Sequence, residues 1–331
     1  MTLFEVADEA SYEAEIRQCV GVTGYHRWFF LSALAEAFGM RMRAFAVDVG
    51  GERLGIAPLL FRRRGPVSTV NFLPVCGIGP VLRGEALRAG RVQEMLRALE
   101  PVLLRERTVV TKWSFAPGVP VNLDALAGRG FRISPVATYA IPATKSVDDY
   151  LKGLAPKQRA AVRRGERRGL STGPSTREDI TDWLRESISG RDGRHETVSD
   201  YSPHAAQSIL ERLADDPRML WRSVRDPGGR LLAMNASIID EERLWGWLLA
   251  GEPVAGPSPH VAAYWDAIQW SLDRGLACDF GSAPTAGIRD FKVAMGGEPE
   301  VCMTAERVRP GVYRTARTMH ARLLSWRAKH S

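Results

Sequence analysis

The sequence predicts an α/β protein of two domains, each built on a mixed β-sheet flanked by helices. Three observations carry that expectation. At 331 residues the chain is long enough for two cores of ordinary size, and 45% hydrophobic with 25% charged residues is a globular composition. The segment Asp48-Val-Gly-Gly-Glu-Arg-Leu-Gly-Ile-Ala-Pro-Leu-Leu60 resembles Asp226-Pro-Gly-Gly-Arg-Leu-Leu-Ala-Met-Asn-Ala-Ser-Ile238. The order of elements around the two segments repeats as well, which marks a duplicated unit rather than a chance match.

In the first copy a strand from Met42 to Val47 meets the Gly50-Gly51 turn, and a second apolar strand follows. A strand from Thr69 to Leu73, a helix from Ala86 to Arg105 and a strand from Thr108 to Ser114 complete it. The second copy runs in parallel: Met219 to Val224, the Gly228-Gly229 turn, an apolar strand, then Arg243 to Leu249. A helix from His260 to Arg274 and a strand from Leu276 to Phe280 close it. Hairpins followed by strand–helix–strand units combine antiparallel with parallel pairing, hence the mixed sheets.

Between the copies, Ser146-Val-Asp-Asp149 reads as an N-cap with acids in the first turn, opening a short helix to Gly153. Pro156 suits the first position of a basic helix that Gly169 terminates. Helices from Arg177 to Ser189 and Pro203 to Ala214 follow, joined by a loop bearing Arg191, Arg194, His195 and Asp200. The tail from Pro310 to His330 patterns as an amphipathic helix, with Val312, Ala316, Met319, Leu323 and Trp326 on one face, suited to packing back on the first domain. The expected domains are residues 1–150 and 151–309.

Net charge is +7, and its location says more than its size. From Lys152 to Gly169 seven basic residues (Lys152, Lys157, Arg159, Arg163, Arg164, Arg167, Arg168) face one acid, Glu166. That density suits a phosphate-rich partner such as RNA or a nucleotide-linked substrate. The alternative is a solvated helix face. No aromatic residue lies between Pro156 and Gly169, so binding there would be to phosphates, without the base stacking of RNA-recognition modules. The acidic start, with no basic and apolar blocks, and the absence of a long apolar run point to a cytoplasmic protein without a membrane span. Cys19, Cys76, Cys278 and Cys302 are scattered, and no His motif spaced for zinc occurs, so neither disulfides nor a metal are expected.

The chemistry concentrates in Gly287-Ile-Arg-Asp-Phe-Lys-Val-Ala-Met-Gly-Gly297, close behind Cys278-Asp-Phe-Gly281. Lys292 is one of only six lysines, and it stands next to Phe291 just beyond a buried strand end. A cation so placed can stabilise an oxyanion in acyl transfer. The bland reading is a lysine whose stem covers apolar surface. Asp279 is a candidate proton acceptor or else a loop-capping carboxylate. His195 and Asp200 are further candidates, and His260, after Ser258-Pro259, belongs to the first turn of its helix.

The tandem repeat, the basic Pro156-to-Gly169 helix, Gly77-Ile-Gly-Pro-Val81, Ile268-Gln-Trp-Ser-Leu272, Asp279-Phe-Gly281 and Phe291-Lys292 fit one pattern. Together they resemble the Fem family of aminoacyl-tRNA-dependent aminoacyltransferases, which build peptidoglycan cross-bridges. The resemblance covers nearly the whole chain through short motifs. It implies two GNAT-like domains, a substrate cleft between them, and aminoacyl-tRNA as co-substrate with no other cofactor. Phe291 and Lys292 match the family's Phe-Lys pair, which is thought to bind the acceptor end of the tRNA and stabilise the tetrahedral intermediate. Arg164, or Arg159, falls where members contact phosphates of the acceptor substrate, and Lys157, Arg163, Arg167 and Arg168 would meet the tRNA.

Two departures bear on the acceptor. Near Trp28 the cross-bridge enzymes place a phosphate-gripping lysine, whereas this chain has Phe29-Phe-Leu-Ser-Ala33. It also lacks the long helical arm that some members insert in the second domain. Both favour a smaller acceptor over a UDP-linked precursor. A peptide or nucleoside-peptide with a free amine, such as an antibiotic precursor, would be held by Trp28 and one or two arginines. One alternative is an acetyl-CoA-dependent N-acyltransferase on the same fold, which needs a Gln- or Arg-led glycine turn at a helix start. Gly251-Glu-Pro-Val-Ala-Gly256 is glycine-spaced but acidic. The others are a cross-bridge enzyme proper and a non-catalytic RNA-binding protein.

Overall fold

A computed structural model describes residues 1–71, 77–88, 90–144, 146–188, 203–251 and 258–309. The first copy contains β1 (Thr2–Val6), α1 (Glu9–Ile16), β2 (Cys19–Val20), α2 (Trp28–Ala37), β3 (Arg41–Val49), β4 (Glu52–Arg64) and β5 (Val67–Val70). It continues through β6 (Val81–Arg83), α3 (Gly84–Arg88), α4 (Val92–Arg105), β7 (Thr108–Phe115), α5 (Leu123–Ala127) and β8 (Arg132–Ile141). Helices α6 (Val147–Gly153) and α7 (Pro156–Arg167) link the copies. The second copy opens with β9 (Ser171–Pro174), α8 (Arg177–Ile188), α9 (Pro203–Leu213), β10 (Met219–Arg225), β11 (Leu231–Ile239) and β12 (Arg243–Gly251). It ends with α10 (Pro259–Leu272), β13 (Ala277–Ser282), α11 (Ala286–Ala294) and β14 (Glu298–Val308).

Local chemistry explains most of these elements. Gly50 and Gly51 have φ of +64° and +85°, the left-handed pair that a tight hairpin between β3 and β4 requires. In the second hairpin Asp226 accepts from the backbone N–H of Gly228 and of Arg230, both at 2.9 Å. Asp8, Asn122, Ser146 and Thr285 each cap a helix with a side-chain oxygen. The single helix expected from Ala86 to Arg105 is two, because Gly90 adopts φ +66° between α3 and α4. The proposed tail helix, the 190–202 loop with Arg191, Arg194, His195 and Asp200, and the glycine-spaced 252–256 segment lie outside the described residues.

Twelve strands form one path, β1-β3-β4-β5-β7-β14-β8-β13-β12-β11-β10-β9, in which only β5·β7 and β12·β13 are parallel, and β6 joins β4 from the side with β2 paired to it. From either edge the order visits equivalent strands of the two copies until the centre. There the last strands change places: β8 pairs with β13 of the second copy, and β14 pairs with β7 of the first. The two exchanged strands also pair with each other. Neither was expected from the sequence. Both are interrupted by proline, Pro135 in β8 and Pro299 in β14. Each proline falls on a stretch with one strand neighbour instead of two, where a missing N–H leaves no ladder bond unmade.

Helices α1, α2, α8 and α9 cover one face of the sheet and share a single core that spans both copies, including Phe30, Leu34, Ile209, Trp221, Ile238 and Trp247. On the other face α4 and α5 bury Leu96, Leu99 and Leu126 against Trp113 and Phe131. There, too, α10 buries Trp265 and Ile268 against Tyr150, Leu244 and Phe280. The architecture is the expected mixed α/β pair, fused through one sheet. Among the described residues no helix is long and apolar enough to cross a membrane.

Because β8 and β14 each complete the other copy's sheet, heating is expected to unfold both copies in one calorimetric transition. Two resolved transitions would show the copies to be independent. A fragment ending at Thr144 should lack cooperative unfolding by circular dichroism.

Candidate active site

The parallel pairing of β12 with β13 lasts only from Arg243 opposite Ala277 to Trp245 opposite Asp279, after which the strands part. Gly246 stands at the divergence, where a Cβ would come within 2.7 Å of the Asp279 carbonyl. Glycine permits that approach. A channel of about 820 Å³ passes through the opening, reaching His260 and Tyr264 of α10 on one face and Tyr25 and Trp247 on the other. The equivalent opening beside β7 is filled. The Ser114 N–H donates to the Ile78 carbonyl at 3.1 Å, and a Cβ on Gly77 or Gly79 would lie 2.2 or 2.6 Å from Ser114. The Gly77-to-Val81 stretch thus closes the first copy and leaves the second open.

Helix α11 forms one wall. Thr285 caps its start, accepting from the Ile288 N–H at 3.3 Å, and its last turn carries Lys292, which is 4% exposed. The ammonium donates to three consecutive carbonyls, Phe280 at 2.5 Å, Gly281 at 3.1 Å and Ser282 at 2.7 Å. Burial pulls its pKa down to about 8, and the nearby Asp279 charge opposes the shift. Lys292 therefore clamps α11 to the rim of the opening. Presenting its charge to a ligand requires exchanging one carbonyl for the ligand oxygen. Phe291 packs on Tyr264 at 5.1 Å and Tyr264 on Phe280 at 4.8 Å, which makes the adjoining wall aromatic.

Asp279 is 2% exposed and accepts from Thr138 Oγ1 at 2.9 Å, Gly281 N–H at 2.5 Å and Arg243 Nη1 at 3.3 Å. Arg243 also forks onto Glu300 at 2.6 and 3.1 Å. Burial raises the Asp279 pKa, against the pull of the Gly281 and Thr138 hydrogen bonds and Arg243. The carboxylate ties β8, β12 and β13 together and holds the Gly281 turn, the loop-capping alternative, while still lining the channel.

Sequence reasoning missed Tyr25 and His26. Tyr25 reaches from the first copy and donates its hydroxyl to the Gly246 carbonyl at 2.5 Å. His26, 2% exposed, accepts at Nδ1 from the Thr23 N–H at 3.1 Å, which leaves Nε2 to donate to the Gly79 carbonyl at 3.2 Å. Burial lowers its pKa to about 4. The available signal was Thr23, three residues before His26 in a capping box; nothing local tells which distant carbonyl the ring meets.

The remaining candidates lie outside the channel. Helix α7 packs on α10, with Gly165 facing Ala262, and Gln158 donates to Sδ of Met295, just past the end of α11, at 2.7 Å. Lys157, Arg163, Arg164, Arg167 and Arg168 are exposed along it, with no ion-pair partner among the described residues. Arg159 is spent differently: its Nη1 donates to the Lys152 and Leu154 carbonyls, both at 2.7 Å, at the end of α6. Trp28 packs on Tyr12 at 5.3 Å and does not line the channel. Phe291, Lys292 and Asp279 come together as anticipated, whereas Trp28, Arg159 and Arg164 stand apart from them. Among the described residues no group of three or more His, Cys, Asp or Glu could hold a metal.

Residues 156–293, from the first residue of α7 to just past Lys292, match the acetyltransferase (GNAT) domain family. No curated protein sequence matches the chain. Among solved structures it is similar to FemX, at 14% identity and a TM-score of 0.70, covering 93% of this chain and 98% of that one. It is similar to L-PGS from Bacillus licheniformis at 15% identity and a TM-score of 0.56, covering 93% and 95%. A tandem GNAT protein from the clavulanic acid biosynthesis pathway, solved without AcCoA, gives 13% identity and a TM-score of 0.54, covering 92% and 98%. At these identities the likeness is one of fold. The chain has a tandem GNAT fold, with mixed sheets flanked by helices.

Two titrations should be visible in stability. As pH falls from 6.5 toward 4, unfolded chains bind a proton at His26 that the native ring refuses, so stability should drop by about 3 kcal/mol, less in a His26→Gln variant. Between pH 8 and 10.5 the unfolded Lys292 holds a proton that the native one has released, so its contribution rises with pH. Urea midpoints of wild type minus Lys292→Met across that window isolate the second effect. A flat difference would contradict the burial of a charged lysine.

Proposed function

We propose that this chain is an acyltransferase that moves an aminoacyl group from tRNA to the free amine of a small peptide or nucleoside-peptide, such as a natural-product precursor, in the cytoplasm. The observation that carries the reading is the open β12–β13 channel, with the exposed cations of α7 and Arg168 beside α10, which lines it. Five exposed cations without acidic partners among the described residues suit a polyphosphate chain. The resemblance of the Phe291-Lys292 pair to the Fem family and the FemX-like fold support the same donor. The named origin of the clavulanic-acid neighbour supports a natural-product acceptor.

In the proposed reaction the acceptor amine attacks the ester carbonyl, the oxyanion forms, and collapse expels the ribose oxygen. That oxygen takes up the proton the amine gives up. The ester is already activated, so the protein's work is positioning and charge stabilisation. Lys292 supplies the charge and Phe291 shapes the channel for the terminal adenosine. Asp279 holds the turn against which Lys292 is set. Arg164, exposed on α7, is assigned to phosphates of a substrate outside the channel. A second reading, transfer from acetyl-CoA, is favoured by the start of α10. Ser258 and His260 line the channel there, and a helix N-terminus facing a channel suits a pyrophosphate.

Labelled aminoacyl-tRNA and acetyl-CoA, each offered with a library of amines, separate the two. Product from the first, abolished by ribonuclease, is expected; turnover that survives ribonuclease and requires acetyl-CoA would install the second reading. Lys292→Met should cost about 100-fold or more in turnover, with Lys292→Arg rescuing poorly, circular dichroism confirming that the variants fold. Neutralising Arg167 and Arg168 together should flatten the salt dependence and raise KM for tRNA while kcat stays near normal.

A further inference from the structure

On the α10 side of the opening the channel has a polar floor that the transfer chemistry does not use. Met234, Ala236 and Ile238 of β11 belong to the core on the α1 and α2 side, so Asn235 and Ser237 point to the opposite face, toward α10. Both are buried, at 7% and 1% exposure, and both line the channel that Lys292 lines. Ser237 donates its hydroxyl to Asn235 Oδ1 at 3.3 Å. That leaves the Asn235 amide nitrogen with no partner among the described residues, and the Tyr264 hydroxyl, also on the channel, has none either. Both groups open onto the channel, so an occupant that displaces water from them without accepting their hydrogen bonds incurs the cost of their desolvation, and one that accepts them does not.

The space around these donors is small. Ser237 lies opposite Gly246, which has no side chain to fill the gap between β11 and β13. Buried Ala267 faces it from α10, and Tyr264 and Phe280 bound it. Burial pushes the Tyr264 pKa well up, so its hydroxyl stays protonated and can donate.

We propose that Asn235, Ser237 and Tyr264, arranged around Gly246, form the specificity pocket for the transferred acyl group. The pocket takes a small group bearing a hydrogen-bond acceptor, such as a hydroxyl or carboxamide side chain, in preference to aliphatic or aromatic ones. This rests on the reading of the channel as the acyl-transfer site. An aliphatic group would leave the Asn235 amide and the Tyr264 hydroxyl unmatched, the situation in which polar sites discriminate most sharply.

Calorimetry with four non-hydrolysable probes tests the assignment without requiring turnover. Seryl and leucyl groups are each carried on 3′-amino-3′-deoxyadenosine through an amide, and on coenzyme A through a thioether. The seryl probe is expected to bind roughly 10-fold or more tightly than the leucyl probe on the carrier that the channel accepts. Asn235→Leu should abolish or reverse that preference, and Tyr264→Phe, which keeps the ring packing should the first variant fail to fold, should cut it at least about threefold. Equal binding of the two groups on an accepted carrier overturns the pocket and leaves the donor reading intact. A seryl preference seen on coenzyme A alone upholds the pocket while the tRNA reading falls. No binding of any probe overturns both, and a preference unchanged in both variants overturns the assignment to these residues.

Discussion

Nine consecutive residue pairs, from Glu298 opposite Ala140 to Glu306 opposite Arg132, join β8 to β14 and with them the two copies of the repeat. Each strand then continues the other copy's sheet, so neither half has a complete set of ladder bonds alone. Without β8 and β14, the inner edges at β7 and β13 would lie unpaired, a liability that folded proteins avoid. The seam also builds the channel wall from both copies. It puts Thr138 of β8 on Asp279 of β13, and Glu300 of β14 on Arg243 of β12. The core beneath is correspondingly shared, with α2 packed on α9.

The buried charges at the opening are held mainly by hydrogen bonds to backbone. Lys292 has carbonyls around it and Asp279 has the Gly281 N–H, so the two charges fasten opposite groups of one turn. Gly281, at φ +70°, is thereby held through both its N–H and its carbonyl. In the proposed reaction, a rim fixed in this way would hold the reacting carbonyl at constant distance from the charge, which is how positioning lowers a barrier. It also explains why a lysine at this position is buried: three carbonyl dipoles meet the ammonium where water would otherwise be needed.

The two copies have diverged in how they use one geometry. In the first, the Gly77-to-Gly79 stretch lies against Ser114 and is strapped by His26, so that copy serves as scaffold. In the second, β12 and β13 part after Trp245, and the Tyr25 hydroxyl, sent from the first copy, reaches Gly246 at the divergence. The cations of α7 accompany the open copy. Helix α7 brings them there by packing on α10, with Gly165 beside Ala262.

What the sequence alone determined is what local chemistry decides. The glycine hairpins, the Ser146 and Pro156 helix starts, the repeat order and the pairing of Phe291 with Lys292 were all legible, because each depends on neighbours a few residues away. Tertiary structure alone decided the rest. The exchanged strands were hidden because proline interrupts both, and their partners are set by packing across the chain rather than by an adjoining turn. Arg159 looked like a ligand for phosphate and caps α6 instead, since the choice lay with the carbonyls of Lys152 and Leu154 folding beneath it. Trp28 was drawn to Tyr12 and away from the channel by the same kind of contact. The Asp279–Thr138 and Tyr25–Gly246 hydrogen bonds join residues 141 and 221 positions apart. No periodicity or motif encodes such distances, because they exist only once the sheet has closed at its seam.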